Sequence, residues 1–301
     1  MLCVSVDIDS VAHYLALYGE AVDDREARAL TAQTYGDGVR RFLELFEELG
    51  VPGTFFAVGR DLEVPAAAQI LGSAAAAGHE LGNHTWSHPY DLIHRDPEGI
   101  REEITRGHGI IADLHAPPVG FRAPGYNTSD AVLTVLRELG YRYDASPLPS
   151  WPYLAAKYAV MAGVRLRGRR SASIFGDPGM GLGRTAPWED GGLLRIPCAV
   201  TRWTRLPVIG TSLVALPARI RTYLVRDAAR RSFISLELHA VDLMDVAGDR
   251  LPAALARQKD LTIPWRTKRR RIEEALRTLL GSREPVTLAA AAARVQGCNR
   301  D

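Results

Sequence analysis

The sequence predicts an α/β fold in which parallel strands are joined by crossover helices, and three observations support this prediction. Strand-like and helix-like patterns alternate through the first half of the 301 residues. Residues with acid, base or ligand chemistry follow the predicted strands, as expected where loops at the carboxyl ends of parallel strands build a site. The segment 146–231 interrupts the alternation, and we interpret it as a long insertion over this end. An α/β barrel and an open doubly wound sheet both fit this pattern.

The predicted elements follow, in chain order, from hydrophobic periodicity and end signals. Leu2–Ile8 alternates as a buried strand, and 38–49 places its apolar residues at helical spacing before Gly50 ends the helix. A strand at 54–58 then precedes an alanine-rich helix at 65–77 that a glycine ends. By the same signals we expect later strands at 80–84, 119–122, 141–144, 232–239 and 286–288, and later helices at 97–114, 129–139, 264–280 and 289–295.

Composition indicates a globular protein without a polyanionic partner. The chain is 47% hydrophobic and 24% charged, and its 37 basic and 35 acidic residues nearly cancel. Near-zero net charge and the absence of a recognition motif argue against nucleic-acid binding. Cys3, Cys198 and Cys298 are far apart and show no CxxC spacing, which argues against a disulfide scaffold or a cysteine zinc site. The first residues run directly into a predicted strand rather than a secretory signal, so we expect a cytoplasmic protein.

Two motifs carry the candidate metal ligands. Asp7 and Asp9 are two apart on a predicted strand, so their side chains point to the same side. Two such carboxylates repel unless they share a cation or a proton, although a solvated strand end explains them equally well. His84 and His88, in GNHTWSHP, are four apart, so a tight loop or helical turn brings both rings to one centre. Together with Asp9 they predict a metal site with open positions, which is typical of catalysis.

Three further residues end predicted strands. Arg122, in GFRAPGYN, has the chemistry to pair with a carboxylate and fix its orientation. Asp144, in RYDASP, fits a turn or helix cap as well as a catalytic role. His239, in LELHAVD, fits a structural role as well as an acid or base role.

In this order, the five motifs resemble the polysaccharide deacetylase family, the NodB-homology or carbohydrate esterase family 4 proteins. The resemblance covers Leu2 to Asp144 and Phe233 to the C-terminus. It implies a distorted (β/α)7 barrel with a long insertion over the barrel mouth at 146–231, within one domain spanning 1–301. It also implies a divalent metal ion, with Zn²⁺ as first choice and Co²⁺, Ni²⁺, Fe²⁺ or Mn²⁺ as alternatives.

The resemblance also implies a role for each site residue. Asp7 falls on the family's catalytic base, Arg122 on the arginine that orients this base, His239 on the general acid and Asp144 on the aspartate that tunes that acid. A backbone N–H near Gly125 would hold the oxyanion, with Tyr126 beside it at the substrate. The implied metal ligands are Asp9, His84 and His88. The sequence departs from the commonest motifs at Ile8, which separates the two aspartates, and at Gly125, where a tyrosine is usual.

The implied reaction is removal of an N-acetyl group from an N-acetylhexosamine-containing saccharide or glycoconjugate. Apolar segments next to basic ones, at 153–170 and 206–226, favour a lipid-linked sugar and peripheral contact with the inner membrane face. Packing of these segments on the barrel, with solvated arginines, is the simpler explanation of the same pattern. Two other functions remain open: a deformylase or other amidohydrolase acting on a lipid-linked amino sugar or small amide, and a non-catalytic glycan-binding relative.

Overall fold

The computed structural model describes residues 1–114, 117–166, 173–174, 176–281 and 283–298, and its centre is one curled sheet. The strands are β1 (Leu2–Ile8), β2 (Gly53–Ala57), β3 (Glu80–Asn83), β4 (Gly120–Phe121), β5 (Tyr143–Asp144), β6 (Trp188–Asp190), β7 (Leu193–Arg195) and β8 (Ile234–His239). Their order in the sheet is β6-β7-β5-β4-β3-β2-β1-β8, and every neighbouring pair is parallel except the antiparallel pair β6–β7.

Helices cover the outside of this sheet. In chain order the α-helices are α1 (Val11–Leu17), α2 (Asp24–Gln33), α3 (Arg40–Leu49), α4 (Pro65–Ala76), α5 (Pro97–Ala112), α6 (Asp130–Glu138), α7 (Trp151–Leu166), α8 (Gly210–Ala215), α9 (Ala218–Ala228), α10 (Trp265–Leu280) and α11 (Leu288–Cys298). A π-helical segment, Thr34–Val39, joins α2 to α3 without a break. None of the described helices is long and apolar enough to cross a membrane.

The core explains why β1 is central. All seven of its residues are buried, because β2 and β8 flank it and α3 packs Phe42, Leu45 and Phe46 against the same layer. Its apolar residues alternate with Ser5 and Asp7, which are buried because both accept hydrogen bonds from Arg122.

The prediction of a distorted barrel is confirmed. The chain after β7 runs back beside β8, where the Ala199 N–H donates to the Ser235 carbonyl at 2.8 Å and Ile209 forms a parallel bridge with Glu237. These isolated contacts close the sheet where regular strand pairing is lacking among the described residues. The closure is therefore irregular rather than that of a complete barrel.

The insertion supplies both a cover and part of the sheet. Helix α7 lies within it, and so do β6 and β7, of which β7 pairs in parallel with β5. The sequence patterns do not predict these strands because each has only three residues. The predicted strand at 286–288 is wrong: one bridge joins Leu2 to Pro285, and α11 then begins at Leu288.

Candidate active site

The register of the central strands brings the candidate residues to one end of the barrel. Asp7 in β1 lies directly opposite His239 in β8. On the other side, the backbone N–H of His84 donates to the Ala57 carbonyl at the end of β2, at 2.9 Å. Arg122 follows β4 and donates its backbone N–H to β3. Because all these strands are parallel, their carboxyl ends meet at the same edge.

The predicted metal ligands lie together. Asp9 Oδ1 is 3.2 Å from Nε2 of His84 and 3.2 Å from Nε2 of His88. All three side chains are buried. The Nδ1–H of His84 donates to the Arg122 carbonyl at 2.6 Å, which leaves the Nε2 lone pair directed at the centre of the cluster.

The loop that carries both histidines is held in a costly conformation. Thr85 and His88 have positive φ angles of 69° and 57°, which residues with a Cβ rarely adopt. The His88 N–H donates to Thr85 Oγ1 at 3.1 Å, and Ser87 bonds the buried carboxylate of Glu103 through its N–H and its hydroxyl. These bonds hold the His88 ring against Asp9.

The donor set fits a divalent cation. Asp9 Oδ1 and both ring nitrogens of His88 are buried without a hydrogen-bond partner, an arrangement that is costly unless a ligand satisfies them. Burial lowers the pKa of His88 to about 4, so its ring is neutral at pH 7 and able to coordinate. Burial alone would raise the pKa of Asp9, but His88 and His84 hold it well below its usual value. Two imidazoles and a carboxylate are typical ligands of catalytic zinc.

Asp7 is paired with Arg122 beside this cluster. Arg122 Nη1 donates to Asp7 Oδ1 at 2.5 Å and to the Ser5 hydroxyl at 2.9 Å, and its Nε donates to the Ala145 carbonyl. Burial raises the pKa of Asp7, an effect that the Arg122 guanidinium partly offsets. Such a carboxylate is fixed in direction and is a better base than an exposed one.

His239 is paired with Glu237, a residue that sequence reasoning missed. Glu237 Oε1 lies 2.9 Å from Nδ1 of His239, and Nε2 of the same ring lies 4.0 Å from Asp9 Oδ2. Burial alone would lower the pKa of His239, but the Glu237 carboxylate holds it well above its usual value. The available signal was the strand alternation, which places residues 237 and 239 on the same side.

Asp144 does not occupy the predicted place beside His239. Its Oδ2 is 2.7 Å from Nε of Arg195, and its Oδ1 accepts hydrogen bonds from the Ser146 N–H and hydroxyl. The carboxylate that tunes the histidine is Glu237, so the role expected of Asp144 is corrected. Its contacts to β7 and to the turn after β5 give Asp144 a structural role.

Gly125 and Tyr126 form a turn at the rim of the site. Both have positive φ, 63° and 65°, and the Tyr126 N–H donates to the Ala123 carbonyl at 3.0 Å. That bond occupies the Tyr126 N–H, which leaves the Gly125 N–H as the predicted oxyanion donor. The Tyr126 side chain packs edge-on against Tyr153 of α7.

A cavity of about 490 Å³ opens above these residues. Asp7, Asp9, His84 and His239 form its polar floor. Its walls are mostly aromatic and aliphatic, with a few polar side chains such as Lys157, Thr211 and Gln258, and the insertion provides many of them. They include Tyr90, Tyr126, Tyr153, Val160, Met161, Leu206 and Leu216.

Comparison with known proteins relates part of this chain to one family. Residues 24–143 match the sequence profile of the polysaccharide deacetylase family. A peptidoglycan deacetylase from Helicobacter pylori is 31% identical over 150 residues, which are 48% of this chain and 49% of the relative. A peptidoglycan-N-acetylglucosamine deacetylase from Bacillus cereus is 30% identical over 38% of this chain and 54% of its own length. The chain thus spans about half the length of these relatives.

The fold likeness extends further than the sequence likeness. The crystal structure of a candidate polysaccharide deacetylase from Mycobacterium smegmatis superposes with a TM-score of 0.63, covering 99% of this chain and 90% of the other at 19% identity. At this identity the match supports the fold alone.

Proposed function

We propose that the chain, whose residues 24–143 match the polysaccharide deacetylase family, is a metal-dependent hydrolase that removes the N-acetyl group from an amino sugar. One observation carries the proposal: a buried carboxylate, Asp7, and an imidazole, His239, lie next to the buried cluster of Asp9, His84 and His88. Two of the relatives are named as deacetylases of peptidoglycan, which supports an amino-sugar amide as the substrate group. A non-catalytic glycan-binding role is less favoured, because the chain has a residue of suitable chemistry at each predicted base, acid and ligand position.

The side chains divide the reaction between them. Asp9, His84 and His88 would hold a divalent cation, which would supply Lewis acidity and lower the pKa of water. Asp7, oriented by Arg122, accepts a proton from the attacking water. His239, protonated on Nε2 and held through Nδ1 by Glu237, donates a proton to the leaving nitrogen. The C–N bond breaks, the water oxygen stays with the acetyl carbon, and acetate and a free amine leave.

The test measures acetate release from N-acetylated sugars, with metal content determined on the same samples. Asp9→Asn is expected to lose bound metal and activity together, whereas Asp7→Asn should keep the metal and lose activity by at least 100-fold. Asp113→Asn, which changes an exposed carboxylate far from the cluster, is the control. Full activity after chelation, or in Asp7→Asn, would contradict the proposal.

We further propose that the sugar is attached to an apolar group, as in a lipid-linked glycoconjugate. The support is the aliphatic part of the cavity wall, including Met161 and Leu216, which offers sugar hydroxyls no hydrogen-bond partner. A fully buried methylene contributes about 0.8 kcal/mol, or roughly fourfold in binding. The octyl glycoside of N-acetylglucosamine should therefore exceed the methyl glycoside in kcat/KM by at least roughly tenfold.

Two variants on one helix check the position of that group. Met161→Gln keeps the side-chain length inside the cavity and should reduce the preference for the octyl glycoside. Leu166→Gln, on the same helix but 88% exposed and outside the cavity wall, should leave it unchanged. Equal rates for both glycosides would contradict the apolar group while leaving the deacetylase proposal intact. Formate release from N-formyl substrates, measured in parallel, separates a deformylase from a deacetylase.

A further inference from the structure

The exposed large hydrophobic side chains are confined to the insertion. Among the described residues, each such side chain falls between 151 and 223, in about a quarter of the chain. Isolated exposed apolar residues are ordinary on a protein surface, but their concentration in one segment marks an interaction surface. They are Trp151, Val160, Leu166, Leu182, Trp203, Ile220 and Tyr223.

The same segment carries a strong positive charge. Residues 146–231 contain 14 basic and four acidic side chains, whereas the whole chain contains 37 basic and 35 acidic ones. The remainder of the protein therefore has an acidic excess. The near-zero net charge of the whole chain conceals this separation of basic from acidic residues. The positive charge of the insertion attracts anionic partners over a long range.

Three of the exposed side chains form a patch at the start of α9, which we call the α9 patch: Trp203, Ile220 and Tyr223. Ile220 and Tyr223 are three apart on the helix, so they share a face. The Tyr223 hydroxyl lies 3.4 Å from the hydroxyl oxygen of Thr204, next to Trp203. The Arg202 guanidinium lies 5.0 Å from the centre of the Trp203 ring, and Trp203 is 79% exposed.

The insertion links this patch to the cavity. Leu206 and Leu216 line the cavity and lie in the chain between Trp203 and Ile220. On the other side of the opening, Val160 of α7 lines the cavity and is also 58% exposed. The same segments of the insertion therefore supply both exposed apolar side chains and the wall above the metal ligands.

We infer that this face of the insertion binds the surface of an anionic lipid bilayer. Tryptophan and tyrosine favour the interface between water and acyl chains, and neighbouring arginines are attracted to anionic headgroups. A second copy of the chain is disfavoured, because pairing this face with itself would oppose two basic surfaces. Binding itself is independent of the proposed reaction; only its use, to present a lipid-linked substrate to the cavity, depends on that proposal.

Sedimentation of the full chain with vesicles tests the inference. Binding is expected to vesicles of equal phosphatidylcholine and phosphatidylglycerol, to weaken as salt is raised, and to be absent with phosphatidylcholine alone. Each basic residue near such a surface contributes roughly fivefold in affinity, so Arg219→Gln should weaken binding by about that factor. Arg25→Gln, an exposed arginine on α2, is the matched control and should leave binding unchanged.

The α9 patch has its own readouts. Trp203→Ser with Ile220→Ser should reduce vesicle binding at least roughly tenfold, because both side chains lose apolar burial in the interface. Brominated lipids should quench the fluorescence of the wild type, and Trp203→Phe should remove most of that quenching. Absence of binding at low salt would overturn the inference. So would binding that these variants do not change, or a solution dimer that the patch variants dissociate.

Discussion

Replacing Glu237 with glutamine tests the assignment of the general acid. The side chain keeps its shape and can still accept a hydrogen bond from Nδ1 of His239, but it loses its charge. Coulomb's law at an effective dielectric constant of about 20 gives roughly 6 kcal/mol for unit charges at the 2.9 Å separation of this pair. Hydrogen bonds to charged groups contribute about 1.5–3 kcal/mol net, and we use this smaller range for the effect of removing the charge of Glu237.

This energy converts directly into a change in pH dependence. A loss of about 1.5–3 kcal/mol corresponds to roughly one to two pKa units, since one unit is about 1.4 kcal/mol. Glu237 holds the pKa of His239 above its usual value, so Glu237→Gln should lower it. A general acid acts only when protonated, and the alkaline limb of kcat/KM should therefore move to lower pH. At pH values above the alkaline limb of the wild type, the kcat/KM of the variant should be roughly ten- to 100-fold below that of the wild type.

The assay is the pH profile of product release by the metal-loaded enzyme, with wild type and variant measured in the same buffers. Glu80→Gln is the control, because Glu80 also accepts hydrogen bonds, from Thr54 and Tyr143, but at the opposite end of β3 from His84. It is expected to change stability without moving the alkaline limb. An unchanged limb in Glu237→Gln would refute the assignment of His239 as an acid that Glu237 tunes.

Three further substitutions test the support of the site. Arg122→Met leaves Asp7 buried without its cation and should lower the free energy of unfolding in urea by about 3–5 kcal/mol; a loss below about 1 kcal/mol would contradict the pairing. Burial raises the pKa of Asp242 to about 7, above its value in the unfolded chain. The free energy of unfolding of the wild type should therefore fall as pH rises from about 4 to 7. Asp242→Asn should show a weaker loss across that range, and an unchanged pH slope would contradict this. In Gly107→Ala the new Cβ would lie 2.5 Å from a side-chain oxygen at the end of β3, so metal affinity and kcat/KM should fall, the latter by roughly 100-fold, whereas Gly109→Ala has open space and should match wild type.

The sequence predicts the site best where one local rule determines which way a side chain points. Alternation along a strand places Asp7 and Asp9 on the same side, and parallel strands bring their carboxyl ends to one edge. Those two rules suffice to predict that Asp9, His84 and His88 converge. The confirmed barrel follows from the same alternation of elements. Short strands escaped prediction because β6 and β7, of three residues each, have too few positions to display a period.

The exchange of roles between Asp144 and Glu237 shows what local rules leave undetermined. A glutamate within a strand is usually expected to face solvent, and only closure of the barrel beside β8 buries it next to His239. Asp144 faces a different neighbour because β7 places Arg195 next to it, about fifty residues along the chain. Both outcomes depend on long-range pairing within the segment that lacks periodicity. The same segment forms the apolar cavity wall and the basic outer face, so the features that would distinguish this chain from a polymer deacetylase lie where its sequence was least predictive.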